Sequence, residues 1–180
     1  MNGKIQYSGG PWPFGMKFCF GRHKYTLYSL YYEECEELGL LIDTPAMDEE
    51  GHFLWCTNVR KFKILHKHLS KKLARLGVAS GKGGTINVSL VIYGLRDSSE
   101  DPYFKREAEC LSNTIVDYLN SLENDTDDQR AISLLENFSD TMFEGDSVAT
   151  FYNKFNTNLK EMEKIISYSL YRILENSRIF

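Results

Sequence analysis

The sequence predicts an α+β protein. An antiparallel, aromatic-rich sheet in the N-terminal half packs with an amphipathic helix, and a three-helix C-terminal half follows. Three observations carry this prediction. Aromatic residues crowd the first 55 positions, among them Trp12, Phe14, Phe18, Phe20, Tyr25, Tyr28, Tyr31, Tyr32, Phe53 and Trp55, and large rings favour strands. Between Asn58 and Leu76 the apolar positions Phe62, Leu65, Leu69, Leu73 and Leu76 form a narrow helical stripe, the period of an amphipathic helix. Beyond Asp101 the apolar residues recur every three or four positions to the end of the sequence.

At 180 residues and 42% hydrophobic content, one domain with a real interior is expected, with 1–96 mainly β plus one basic helix and 97–180 helical. Gly9-Gly10-Pro11-Trp12-Pro13 predicts a break, since proline removes a ladder donor. Met16, Phe18 and Phe20 alternate with Lys17 and Cys19 as in a strand, and 21–24 reads as a turn. Tyr25 to Tyr32 fits a returning strand, but Leu27, Leu30, Tyr31 and Leu38 also fit a helix ended by Gly39, so 26–38 stays open. Leu40 to Ile42 and Phe53 to Cys56 read as two further strands joined by an acidic loop.

The helix expected near 58–76 carries Arg60, Lys63, Lys67, Lys71 and Arg75 opposite its apolar stripe, with Gly77 as its stop. After the loop 81–84, the alternation of Ile86, Val88, Leu90 and Ile92 predicts a strand over Thr85 to Tyr93. Asp101-Pro102 opens a helix whose stripe is Phe104, Ala108, Leu111, Ile115, Tyr118 and Leu122. Residues 123–128 read as a polar, acidic loop. Ala131, Leu135, Phe138 and Met142 mark the next helix, which stops near Gly145. A last helix is expected over 147–176, with Val148, Tyr152, Phe155, Leu159, Met162, Ile166, Leu170 and Ile173 on one face. It would be about 40 Å long; a packed three-helix hairpin is expected, and the alternative is that part of its stripe meets a partner or a second copy of the chain.

Charge is sorted along the chain. From Gly51 to Arg96 there is no Asp or Glu, but nine Lys or Arg; both flanks are acidic, and the net charge is only −4. Clustered charge attracts an oppositely charged partner or another part of the same chain. The candidate contact residues are Arg60, Lys63, Lys67, Lys71, Arg75 and Lys82. They predict a non-enzymatic, intracellular interaction module whose partner is a protein with an acidic surface. The alternative partner is nucleic acid, because cations spaced i, i+4 can follow a phosphate backbone. The pI of 5.6 weighs against a dedicated nucleic-acid binder.

No catalytic, cofactor or metal motif stands out. Gly81-Lys82-Gly83 resembles a phosphate-binding loop only superficially: the spacing is one residue short and no Ser or Thr follows Lys82. His66 and His68 point to different sides of a helix and cannot share a metal. His68-Leu69-Ser70 matches half of a paired H-x-[ST] motif, with no second copy. An enzyme of unrecognised type would have to gather His23, His52 or His68 in a pocket. Cys19, Cys35, Cys56 and Cys110 form no CxxC pair and are expected as thiols. No apolar run approaches the roughly 20 residues of a membrane span, so no membrane partner is expected, and 1–10 lacks the apolar centre of a signal peptide.

Overall fold

The structure, a computed structural model, describes residues 6–20, 23–35, 41–61 and 85–180. It is a mixed α and β protein. Its strands are β1 (Gln6–Phe20), β2 (His23–Cys35), β3 (Leu41–Pro45), β4 (Phe53–Trp55), β5 (Thr85–Asn87) and β6 (Ser177–Ile179). Its α-helices among the described residues are α1 (Val88–Arg96), α2 (Pro102–Asn120), α3 (Thr126–Phe143), α4 (Val148–Lys154) and α5 (Leu159–Glu175). The chain divides into two compact units: one takes the described parts of Met1–Met16, Tyr25–Thr85 and Asn176–Phe180, the other those of Lys17–Lys24 and Ile86–Glu175.

Four strands form a sheet in the order β3-β2-β1-β5. Strands β2 and β3 are antiparallel, from Tyr31 opposite Pro45 to Cys35 opposite Leu41. The open segment 26–38 is thus extended as far as Cys35; Leu38 and Gly39 lie outside the described residues. β1 runs through the break expected at Pro11 and Pro13. The two prolines are two apart, so both nitrogens face the same side of the strand.

In the first unit, Phe53, Leu54 and Trp55 are all fully buried. β4 pairs in parallel with β6, Phe53 opposite Ser177 and Trp55 opposite Ile179. The Ser29 hydroxyl donates to the Leu54 carbonyl at 2.6 Å, and Tyr28 and Cys56 exchange both backbone bonds at 2.8 Å. Gly15 stands against the Tyr28 ring, where a Cβ would approach to 3.1 Å. The strand 177–179 carries no periodic signal and was not expected from the sequence.

The second unit is helical. Of the α2 stripe, Phe104, Ala108, Leu111, Ile115 and Tyr118 are buried, as are Ala131, Leu135, Phe138 and Met142 of α3. Lys105 at the start of α2 donates to the Gly145 carbonyl just past α3, so the two helices run antiparallel. Phe151 stacks edge-on to Phe138 at 4.9 Å and lies 5.1 Å from Phe155.

Three expectations are corrected here. The strand expected over Thr85 to Tyr93 ends at Asn87, whose side chain accepts the Leu90 N–H at 3.2 Å and caps α1. The buried set Val88, Val91, Gly94 and Leu95 has helical spacing. Asn87 therefore ends the alternation and starts a helix.

The single helix expected over 147–176 is two. Asn156 adopts a left-handed φ of 48°, and the Thr157 N–H returns to the Tyr152 carbonyl at 3.1 Å. That is the C-terminal closure of a helix around a left-handed residue, for which Asn is the usual choice after Gly. Asn158 then accepts the Glu161 N–H at 3.2 Å and opens α5. The C-terminal half thus holds four helices beyond residue 97, not three, followed by β6. Finally, the polar, acidic loop expected over 123–128 ends at Asp125: α3 starts at Thr126, and Asp128 is fully buried.

Candidate functional site

Of the six candidate contact residues, the structure describes Arg60. It lies in a short 3-10 turn, Val59–Lys61. Asn58 sets this turn up, its side chain accepting the Arg60 N–H at 2.8 Å. Arg60 is exposed and Lys61 half-exposed. Among the described residues, no carboxylate forms an ion pair with either. Lys63, Lys67, Lys71, Arg75 and Lys82, with positions 62–76 of the expected helix and the loop 81–84, lie outside the described residues.

Four cations of the second unit, one of them Arg96 at the end of the acid-free stretch, are paired. Arg96 pairs with Glu163 at 2.6 Å, Lys105 with Glu100 at 3.0 Å, and Arg130 with Glu161. Arg172 grips Asp128, with Nε to Oδ1 at 3.2 Å and Nη2 to Oδ2 at 2.9 Å. The Tyr168 hydroxyl donates to the same carboxylate at 2.9 Å, and Asp128 also completes a capping box with Asp125. Burial alone would raise the Asp128 carboxyl. The hydrogen bonds from Arg172 and Tyr168 outweigh it and hold the group below the usual carboxylate range. The Tyr168 hydroxyl is pushed up to about 12 by burial and by its bond to Asp128. This cluster locks α3 to α5. The sequence signal for it was Asp125-x-x-Asp128, the spacing of a capping box.

A groove of about 490 Å³ lies along α3 and α5, with Asp127, Arg130, Lys160, Glu161, Lys164 and Tyr168 on its walls. Both signs of charge line it, and none of its lining residues is a histidine or cysteine. Of the apolar stripe expected on the last helix, Val148, Met162, Ile166 and Ile173 are buried, and Tyr152, Phe155, Leu159 and Leu170 are half-buried. With the helix broken, the length argument for a dimer seam along 147–176 falls away.

Of the histidines of the enzyme alternative, His23 opens β2, His68 lies outside the described residues, and His52 sits in the turn before β4. Its Nδ1 lies 3.4 Å from Asp48 Oδ1. That oxygen accepts the backbone N–H groups of Glu50 and His52, both at 2.9 Å, while Arg178 Nε sits 3.2 Å from Oδ2. The group closes the 48–52 turn and ties it to β6. Among the described residues, no three of His, Cys, Asp and Glu are placed to hold a metal ion, and no helix is long and apolar enough to cross a membrane.

No protein-family model matches this chain, and no match was found among curated proteins or solved structures.

Proposed function

We propose that the chain is a non-enzymatic interaction module that binds an acidic protein surface through the basic segment Arg60, Lys63, Lys67, Lys71, Arg75 and Lys82. One observation carries the reading. The stretch 51–96 holds nine cations and no carboxylate, and its first two cations, Arg60 and Lys61, take no ion-pair partner among the described residues. Three cations outside the stretch, Lys105, Arg130 and Arg172, are paired with the chain's own carboxylates, and at the end of the stretch Arg96 pairs with Glu163. A cluster of like charges favours an external partner of opposite charge and raises the rate of encounter with it.

Capture from cell extract tests the reading. The full chain and a Lys67→Glu/Lys71→Glu variant serve as bait, each with and without nuclease. Capture of a protein that survives nuclease and is lost with the variant supports the module. Capture abolished by nuclease reassigns the segment to nucleic acid. Equal capture by both baits removes the segment from the function.

A further inference from the structure

The strand that completes the first unit does not come from that unit's own stretch of sequence. It is attached to the last helix of the second unit through the single residue Asn176. The floor it covers, Phe53 to Trp55, is fully buried, so the slot along β4 needs an occupant. The occupant is held mainly through its backbone. Phe53 N–H donates to Asn176 O at 2.8 Å, Phe180 N–H to Trp55 O at 2.9 Å, and Thr57 N–H to Phe180 O at 3.0 Å. Two side-chain links add to these: Trp55 Nε1–H donates to Ser177 Oγ at 3.1 Å, and Arg178 pairs with Asp48 and Glu50. Arg178 and Ile179 remain exposed.

We propose that the β4 slot is an exchange site, and that a second copy of this chain fills it with its own 176–180 strand. The bonds just named are the same whether the strand comes from the same chain or from another, so the two states differ mainly at the hinge and in the entropy of association. A link this short is the kind of hinge at which such exchange occurs. The ion pair between Arg178 and the 48–50 turn sets the register of the incoming strand. This proposal is independent of the basic segment.

Two full-length variants test it. Glu50→Lys places a cation opposite Arg178; Arg178→Glu places a carboxylate opposite Asp48 and Glu50. Each is mismatched with itself. In a mixed dimer, the unaltered Arg178 strand of the first enters the unaltered slot of the second. Native mass spectrometry of an equimolar mixture is expected to show the mixed dimer about fivefold above either like-with-like dimer, with circular dichroism confirming that both chains fold. A statistical mixture of folded chains, or monomers throughout, overturns the proposal. If a variant does not fold, the wild-type chain decides. Light and isotope-labelled copies held at the highest soluble concentration must form a dimer of intermediate mass, and two residues inserted between Glu175 and Asn176 must reduce it. A monomer, or a dimer unchanged by the longer hinge, overturns the proposal.

Discussion

Arg172 holds both carboxylate oxygens of Asp128, 44 positions earlier in the chain, and Tyr168, one turn before Arg172, adds a third bond to the same group. Asp128 is fully buried, and the Arg172 side chain is 23% exposed. The pair joins the start of α3 to the last turn of α5, so one carboxylate fixes the packing of two helices and closes the capping box of one of them.

Asp128→Ala is expected to cost roughly 3 kcal/mol, because removing one partner of a buried pair strands the other. Arg172→Ala should cost less than Asp128→Ala, since Tyr168 and the capping box still satisfy the carboxylate. Urea denaturation of the two variants checks the order. Equal, small losses would mean that the cluster is dispensable.

The same carboxyl sets part of the acid limit. Its folded pKa lies below its unfolded value, so its contribution is present above about pH 3.9 and is lost as pH falls through the folded value. The stability gap between wild type and Asp128→Asn is therefore expected to be constant near neutrality and to shrink below about pH 4. Denaturant titrations across that range read the gap directly; a gap independent of pH contradicts the assignment. Tyr168 acts in the opposite direction. With its folded pKa raised to about 12, its contribution is present below the usual tyrosine value of about 10 and is lost as pH rises towards 12.

Gly94 faces Phe104 at contact distance. A Cβ at position 94 would come within 2.0 Å of Phe104 Cδ2, and that ring is buried. Gly94→Ala gains roughly 1 kcal/mol of helix propensity, but overpacking opposes it, and a net loss of roughly 2 kcal/mol is expected. Phe104→Leu should recover part of the loss in the double variant. Thermal melts of the four species form the cycle; a stabilising Gly94→Ala would show that the helices are not this close.

The break at Asn156 has a sign test. In a continuous helix, Asn156→Ala would stabilise, because alanine is the better helix former. In a left-handed closure the same change is expected to cost about 1 kcal/mol, whereas Asn156→Gly is expected to be neutral or better. Chemical denaturation of both variants separates the alternatives.

These elements show why some of the fold was legible and some was not. The α2 and α3 stripes were readable because a 3.6-residue period over nearly twenty positions has no competing interpretation. Thr85 to Tyr93 was misread because Ile86, Val88, Leu90 and Ile92 satisfy a two-residue period, while Val88, Val91 and Leu95 satisfy a helical one. The cap at Asn87 decides between them, and a cap acts on one turn only. The stripe of 148–173 runs through the break with no change of period, so Asn156 and Asn158 were the only local signs of it. β6 is too short to have a period, and its pairing with β4 joins residues more than a hundred positions apart. Of the candidate site, the charge sorting was legible at once. The fate of each cation was not, because pairing depends on which carboxylate the fold brings near: Arg60 has none among the described residues, whereas Arg172 finds Asp128.

The central claim is that the acid-free stretch meets an external anionic protein surface. The most direct measurement is a fluorescence titration of the full chain against a labelled poly-glutamate peptide and a labelled oligonucleotide of equal length, at two salt concentrations. The account predicts binding to the peptide that weakens as salt rises and falls about tenfold or more in the Lys67→Glu/Lys71→Glu variant, with no tighter binding to the oligonucleotide. Peptide binding that is absent, or equal in the variant and the wild type, would contradict it.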